Sequence, residues 1–236
     1  MRVALLTGCA QAVVTPGVHA ATIRVLNRAG AEVVTIGGCC GALTHHMGRE
    51  PQGRGFARTL LLALVAERDA HGLDAVVADA SGCGMHVKDY GWQFREDTAL
   101  ARDAQDVSAR ARDVTEVVSE LGLPAVTQPP SLSVAYHSAC SLQHGQKLDA
   151  VPRELLRLAG YDVREIGEGH LCCGSAGTYN LLQPQIAGQL RDRKLAHIRA
   201  TGAQAIATGN VGCAMQLGAG GLPVFHTIEL LDRATT

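Results

Sequence analysis

The sequence predicts an α/β protein of two homologous domains, each a small parallel sheet flanked by helices, related by pseudo-two-fold symmetry. Two observations support this fold class. Eight cysteines fall into two sets of four with matching spacing, and strand-like apolar segments alternate with amphipathic helical segments in the same order in both halves. The chain has 236 residues, of which 47% are hydrophobic, so it can bury a substantial core.

The two cysteine sets repeat one pattern of a lone cysteine, a Cys-Cys-Gly tripeptide and a last cysteine. The lone cysteine precedes the pair by 30 residues in the first set and by 32 in the second, and the last cysteine follows after 43 and 40 residues. The sets are Cys9, Cys39, Cys40 and Cys83, then Cys140, Cys172, Cys173 and Cys213. Such agreement is typical of a duplicated unit.

The predicted elements follow in the same order around each set. In the first half, we expect strands ending at Cys9, Gly37 and Cys83, with helices over 19–30, 56–71 and 113–121. In the second half, the strands end at Cys140, Gly167 and Cys213, with helices over 151–160, 184–201 and 226–234. The segment 88–110 has no counterpart, and the proline-containing segment 123–131 is the expected linker. The predicted domains are therefore 1–122 and 132–236.

All eight cysteines lie at or just beyond the carboxyl end of a predicted strand. In open parallel sheets, the crevice at these strand ends is where binding sites form. We therefore expect the four sulfurs of each half to converge on one point.

Four convergent thiols allow several interpretations. A disulfide between adjacent cysteines is strained, because their Cα atoms are only about 3.8 Å apart. A tetrahedral zinc site and an iron–sulfur cluster both use four cysteines, and buried cysteines also occur simply as small apolar residues. The absence of a short C-x-x-C knuckle favours a cluster over zinc.

Composition and charge exclude other classes of protein. The formal net charge is −1 and aromatic residues make up 3% of the chain, so neither an electrostatic nor a base-stacking nucleic-acid surface is expected. No apolar run reaches the roughly 18 residues of a membrane span. The first residues read as a buried strand rather than a signal peptide, so we expect a reducing, cytoplasmic location in which clustered cysteines bind metal.

Four tracts of the sequence resemble a known family. These are "GCCGALTHHMGRE", "CCGSAGTYNLLQPQIAGQLRDRKL", "ATGNVGCAMQL" and "VFHTIELLDRAT". They are similar to the duplicated cysteine-rich CCG domains found in heterodisulfide reductases, in lactate-utilisation iron–sulfur proteins and, above all, in glycolate oxidase (glycolate dehydrogenase) iron–sulfur subunits. The resemblance covers nearly the whole chain.

The resemblance implies an electron-transfer subunit of a 2-hydroxy-acid oxidoreductase. All eight cysteines would hold iron–sulfur clusters, with a four-iron cluster among the candidates. A partner subunit carrying FAD would oxidise the hydroxy acid, and electrons would pass through this chain toward a quinone or another acceptor. Membrane association, at the inner face, would come only through partners. The alternatives are a heterodisulfide reductase-like or lactate-utilisation redox subunit and a zinc-stabilised interaction module.

The sequence departs from this family in two places. The general pattern ends each domain in C-x-x-C, but here Ala80 and Asn210 stand three residues before the last cysteines. Four thiols per half remain, so the cluster type is not carried over. The related subunits also begin with a ferredoxin-like region, which has no match here. We expect a fragment or a split gene whose ferredoxin-like relay lies on another chain.

Three histidines near the cysteines are candidates for hydrogen bonds to the sulfur ligands or for proton transfer. His45 and His46 follow the first Cys-Cys-Gly, and His137 precedes Cys140. A polar loop with capping histidines explains the first two equally well. His86 is expected to be structural, and "RDRKL" is expected to be an ordinary solvated helix face.

Overall fold

Two four-stranded parallel sheets organise the structure, a computed structural model that describes residues 1–236. The chain divides into two compact units, unit 1 (Met1–Gly122) and unit 2 (Leu123–Thr236), and each unit contains one sheet with helices packed against it. The predicted α/β class with two homologous domains is confirmed. None of the helices is both long and apolar enough to span a bilayer.

The sheet of unit 1 has the strand order β2-β1-β3-β4. Its strands are Arg2–Leu6 (β1), Glu32–Ile36 (β2), Ala75–Ala78 (β3) and Ala111–Asp113 (β4). The two central strands, β1 and β3, carry almost only apolar residues and are buried on both faces, as expected for an inner pair of a parallel sheet. Because all four strands are parallel, their carboxyl ends meet at one edge.

Eight helices surround this sheet. They are Ala10–Val14 (α1), Gly17–Arg28 (α2), Ala42–His46 (α3), Glu50–His71 (α4), Ser81–Lys88 (α5), Tyr90–Gln93 (α6), Ala101–Arg110 (α7) and Val114–Leu121 (α8). The long helix α4 buries Ala57, Leu60, Leu61 and Leu64, which recur at helical spacing and form one apolar face. It ends at Gly72, whose φ of 75° suits glycine.

The sheet of unit 2 has the order β6-β5-β7-β8, which is the same topology. Its strands are Ser133–Tyr136 (β5), Asp162–Arg164 (β6), Ala205–Thr208 (β7) and Val224–His226 (β8). Its helices are Ala150–Leu158 (α9), Tyr179–Leu182 (α10), Pro184–Ala200 (α11), Val211–Gly218 (α12) and Thr227–Ala234 (α13), with a π-helical turn at Ser141–Gln146. The matching order and register agree with the duplication predicted from cysteine spacing.

Each sheet has one strand more than the sequence predicted. The fourth strands, β4 and β8, are three residues long and lead directly into the last helix of their unit. Asp113 and His226 end these strands and also cap those helices, so the sequence signal of the cap hides the strand before it. The π-helical turn after Cys140 was not predicted either.

The segment 88–110 has no counterpart in unit 2, where only residues 219–223 join α12 to β8. In unit 1 it forms α6 and α7 and contributes buried side chains to the core. Tyr90, Phe94 and Val107 pack in one apolar cluster with residues of α4. The insertion is therefore part of the core of unit 1 rather than a surface loop.

The predicted linker, 123–131, contains no helix or strand. The backbone N–H groups of Thr127 and Gln128 both donate to the carbonyl of Ala234, at 2.9 and 3.1 Å. These residues therefore pack against the end of α13 in unit 2.

Candidate metal centres

In unit 1, three connections place the four cysteines at the carboxyl edge of the sheet. Cys9 lies at the start of α1 just after β1, Cys39 and Cys40 lie in the loop after β2, and Cys83 lies in the first turn of α5 after β3. Cys40 is buried, Cys39 and Cys83 are partly buried, and Cys9 is exposed.

The four sulfurs of unit 1 are linked by direct contacts. Cys9 Sγ lies 3.8 Å from Cys39 Sγ, and the side chain of Cys40 interacts with those of Cys39 and Cys83. The contact with Cys40 and burial raise the pKa of Cys39. Contact with Cys39 lowers the pKa of Cys40, but contact with Cys83 and burial raise it by more. Without a cation, Cys39 and Cys40 are therefore most stable as neutral thiols.

Unit 2 repeats the arrangement. Cys140 begins the π-helical turn after β5, Cys172 and Cys173 lie in the loop after β6, and Cys213 lies in the first turn of α12 after β7. Cys173 Sγ and Cys213 Sγ are 3.3 Å apart. The side chains of Cys140 and Cys172 also interact, which raises the pKa of Cys140 and lowers that of Cys172.

All eight cysteines are free, so neither adjacent pair forms a disulfide. In each unit, backbone N–H groups that follow the pair point at sulfur. Gly41 N lies 3.4 Å from Cys39 Sγ, Gly174 N lies 3.3 Å from Cys172 Sγ, and Ser175 N lies 3.5 Å from Cys173 Sγ. Such donors stabilise thiolates and sulfur-ligated metals.

The glycine after each pair is required by the backbone. Gly41 has φ of 90° and Gly174 has φ of 92°, in the left-handed region that other residues rarely adopt. A Cβ at Gly41 would lie 2.3 Å from the carbonyl oxygen of Gly53 in α4, and one at Gly174 would lie 2.4 Å from that of Ala187 in α11. The Cys-Cys-Gly turn therefore lies directly against the backbone of a long helix in both units, α4 in unit 1 and α11 in unit 2.

His137 belongs to the centre of unit 2. Its side chain is 1% exposed, and neither ring nitrogen makes a conventional hydrogen bond. One ring nitrogen and the sulfurs of Cys173 and Cys213 lie within 4.8 Å of one another. Contact with Cys173, opposed by burial and reinforced by the ring of His137, lowers the pKa of Cys213. The equivalent residue of unit 1, three positions before the lone cysteine, is Leu6.

His45 and His46 lie in α3, directly after the first Cys-Cys-Gly. Their ring centroids lie 5.4 and 6.0 Å from that of His86 in α5, so the three imidazoles form one group. Burial and the two neighbouring rings lower the pKa of His86 to about 4. Next to it, Tyr90 donates to the carbonyl of Cys40 at 2.8 Å. The cysteine spacing does not connect His86 or Tyr90 with this site, because both follow Cys83, the last cysteine of the first set.

The expectation for "RDRKL" is wrong at one position. Lys194 is fully buried, and its Nζ donates to the carbonyls of Glu168 at 2.7 Å and Gly169 at 3.4 Å. Ala187, Lys194 and Ile198 recur at helical spacing and share the buried face of α11. That periodicity was the available signal, and the neighbouring charges concealed it.

Asn210, one of the two departures from the C-x-x-C pattern, caps α12. Its Oδ1 accepts hydrogen bonds from the backbone N–H groups of Gly212 at 2.9 Å and Cys213 at 3.2 Å. Ala80 makes no such bond at the start of α5. In unit 2, the residue that replaces the first cysteine of the C-x-x-C pattern therefore holds the first turn of α12, which carries Cys213.

A buried carboxylate next to the first centre was also missed. Asp79, directly after β3, accepts hydrogen bonds from Gln11 Nε2 at 2.7 Å and Thr22 Oγ1 at 3.1 Å, and it lies 2.7 Å from His19 Nδ1. The hydrogen bond that His19 donates to Asp79 raises the pKa of His19 despite its burial. This group fixes α1, which begins at Cys9, to the end of β3.

Comparison with known proteins agrees with this geometry. A family model for a cysteine-rich domain, CCG, matches residues 3–88 and 134–218, one match in each unit. In a solved structure described as a hypothetical protein from Helicobacter pylori, a similar fold covers 99% of this chain and 49% of that one, with a TM-score of 0.67 and 10% identity.

Curated relatives are similar along nearly the whole chain. The glycolate oxidase iron-sulfur subunit of Escherichia coli (strain K12) is 39% identical over 99% of this chain and 58% of its own length. The probable glycolate oxidase iron-sulfur subunit of Bacillus subtilis (strain 168) is 30% identical over 92% of this chain and 49% of its own. Lactate utilization protein A of Bacillus licheniformis (strain ATCC 14580) is 26% identical over 98% of this chain and 99% of its own.

The chain thus spans about half the length of the two glycolate oxidase subunits. The family match covers most of both units and includes all eight cysteines. Together with the repeated sheet topology and the two Cys-Cys-Gly turns, this match places the chain in the cysteine-rich CCG domain family, with one copy of the domain in each unit.

Proposed function

We propose that each unit holds an iron–sulfur cluster through its four cysteines and that the chain transfers electrons within a 2-hydroxy-acid oxidoreductase. The observation that carries the proposal is the repeated convergence of four free thiols on the carboxyl edge of a parallel sheet. Deprotonated thiolates are strong ligands for iron, and four of them at one edge of a sheet match the number that an iron–sulfur cluster requires.

The residues fit such a group. Every unit offers four sulfur donors on three separate connections, with backbone N–H groups directed at the pair. An iron–sulfur cluster would supply one-electron transfer, which none of the twenty side chains here provides by itself. The protein's own part is to hold the thiolates, to donate hydrogen bonds to sulfur and to limit access of water to Cys40, Cys173 and Cys213.

The relatives suggest the substrate class. Glycolate and lactate, named in the relatives' descriptions, are both 2-hydroxy acids. Their oxidation releases two electrons and is typically carried out on a flavin. We therefore propose that a partner subunit with FAD oxidises the hydroxy acid and that this chain carries the electrons onward, with a ferredoxin-like region or chain and a quinone as candidate neighbours in the relay.

Metal analysis after anaerobic purification and reconstitution tests the proposal. We expect iron and acid-labile sulfide in the protein, a broad visible absorbance, and a paramagnetic resonance signal in one redox state. Replacing Cys173 with serine should reduce the iron content, while Ser138→Ala, a buried change in the connection between β5 and Cys140, should leave it unchanged. A colourless protein without iron would contradict the proposal.

A second candidate is a zinc site in unit 2. His137, Cys173 and Cys213 place three suitable ligand atoms within 4.8 Å of one another, and zinc accepts mixed histidine and cysteine ligands. Stoichiometric zinc that survives reconstitution with iron and is lost in a His137→Ala variant would support this candidate instead.

A further inference from the structure

We propose that Lys194 places a buried positive charge beside the metal centre of unit 2 and thereby raises the reduction potential of that centre. This inference rests on the proposed function, because it concerns the cluster that the second cysteine set would hold. It assigns a role to a side chain outside the Cys-Cys-Gly motif.

The position of Lys194 is unusual for a lysine. The residue is fully buried in α11, although lysine is almost never buried unless it is paired. Its Nζ donates to the carbonyls of Glu168 and Gly169, in the loop that leads to Cys172. Burial lowers the pKa of this amine, while electrostatic attraction by Cys173, Glu168, Cys172 and Cys140 opposes that shift and favours the charged form.

No carboxylate forms an ion pair with the buried Lys194. The carboxylate of Glu168 binds Arg193 and His197 at the surface, and Lys194 binds only the main-chain carbonyl of that residue. Two carbonyl oxygens accept hydrogen bonds but do not neutralise an ammonium group. The groups that attract this ammonium electrostatically are therefore Cys173, Glu168, Cys172 and Cys140, and three of these four belong to the second cysteine set.

Unit 1 provides an internal comparison. Gly53 in α4 and Ala187 in α11 occupy the same place, since each carbonyl lies against the glycine of its Cys-Cys-Gly turn. Seven residues, or about two helical turns, after these positions stand Leu60 and Lys194. Leu60 is buried and would lie 3.6 Å from a Cβ at Gly38, beside the first pair. One centre thus has a leucine where the other has an ammonium group.

A positive charge at Lys194 changes the free energy of reduction of the centre in unit 2. One-electron reduction adds one negative charge to a thiolate-ligated centre, with one electron taken from a reductant and no covalent bond formed or broken. A nearby positive charge in a low-dielectric interior stabilises the reduced state more than the oxidised state. Burial of a centre also disfavours the negative charge that reduction adds. The test therefore compares variants of unit 2 with one another and does not compare unit 2 with unit 1.

The experiment is a potentiometric titration of the reconstituted full-length chain with dithionite, followed by absorbance and paramagnetic resonance. It is carried out in the Cys40→Ser background, in which unit 1 lacks a complete ligand set. We expect Lys194→Met to reduce the equilibrium constant for one-electron reduction at least about tenfold, a shift of roughly 59 mV to lower potential. Lys194→Gln keeps a hydrogen-bond donor but removes the charge, and it should give the same shift.

The controls separate charge from packing. Leu60→Met is the matched change in unit 1 and should leave the unit 2 potential unchanged, and circular dichroism checks that each variant is folded. Unchanged potentials in both lysine variants with iron still bound would overturn this inference while the proposed function stands. A shift in Lys194→Met that is absent in Lys194→Gln would also overturn it, since hydrogen bonding rather than charge would then be the cause. Absence of iron from the parent protein would overturn both.

Discussion

Two independent constraints act on the residue that follows each cysteine pair. The backbone at Gly41 and Gly174 lies in the left-handed region, and in each case the carbonyl of a packed helix occupies the space where a side chain would begin. The glycine therefore contributes to the fold whether or not a metal is bound. Its metal-related effect is indirect, since it lets the two preceding thiols lie close to the helix.

Replacing Gly174 with alanine should destabilise unit 2 strongly. The strained backbone alone costs about 1–3 kcal/mol, and the 2.4 Å approach to the Ala187 carbonyl adds to this cost. The matched control is Gly188→Ala in α11, the helix that contains Ala187. Gly188 has open space around it, so this substitution should be neutral or stabilising by up to about 1 kcal/mol. Denaturant unfolding of metal-free protein measures both, and equal free energies of unfolding would contradict the packing argument.

The sequence predicted the cysteines of the site but not all of its other members. The eight cysteines were recognisable because their spacing repeats, and their role as ligands remains a prediction. Lys194 was missed because lysine on a charged helix normally faces water, and only the periodicity of α11 reveals that it does not. His86 is expected to be structural because it lies at a predicted turn or helix start. Its contacts with His45 and His46 depend on how α3 packs near α5, which the sequence pattern does not show.

The last helix of each unit begins with a capping box. Asp113 caps α8 by accepting from Thr115 N at 2.9 Å, while Glu116 accepts from the backbone N–H of Asp113. In α13, His226 and Glu229 form the equivalent pair of bonds. These capping boxes connect the edge strand to the helix without a loop.

The cap of α8 makes the stability of unit 1 depend on pH. Burial raises the pKa of Asp113 to about 6, against an ordinary value of about 3.9, so the folded state binds a proton more tightly than the unfolded state. Stability is therefore lost as pH rises from about 4 to 6 and changes no further above that. The Asp113→Asn variant keeps a capping oxygen but no charge, and it should gain on the order of 2–3 kcal/mol relative to the parent across this window.

Unfolding at several pH values measures the effect. Asp113→Ala serves as the comparison because it removes the capping oxygen. At pH 4, where Asp113 of the folded parent is protonated, this variant should lose about 1 kcal/mol of unfolding free energy. The free energies of unfolding of the parent and the asparagine variant could instead differ by a constant amount from pH 4 to 7. That result would contradict a raised pKa of Asp113 in the folded state.

Among the elements, the long apolar runs were predictable and the short connections were not. Strands β1, β3, β5 and β7 are nearly continuous apolar segments, and α4 has clear helical periodicity. The edge strands β4 and β8 have only three residues, and the π-helical turn depends on local packing after Cys140. Patterns of two or three residues carry too little information to specify an element.

At the scale of the whole molecule, duplication has kept the sheet and changed its surroundings. Strand order, the place of every cysteine and both capping boxes are common to the two units. The inserted helices α6 and α7, the histidine group and Asp79 are found only in unit 1, whereas His137 and Lys194 are found only in unit 2. The two cysteine sets match each other but differ in the charge and polarity of the residues around them.

Because the sulfur contacts of each set lie within one unit, the two centres should load independently. Cys40→Ser is expected to remove about half of the iron of the reconstituted protein, and Cys173→Ser the other half, with the double variant close to zero. Iron and sulfide analysis per chain, beside circular dichroism, measures this. Complete loss of iron in either single variant would contradict independent loading.

The wide separation of the ligands along the chain also sets an order of assembly. The first set is complete once Cys83 has been synthesised, whereas Cys213 follows 130 residues later. At typical translation rates of about 5–20 residues per second, this interval lasts roughly 6–26 seconds. The sheet of the first unit can therefore form and bring its four thiols together on the ribosome while the second unit is still being made.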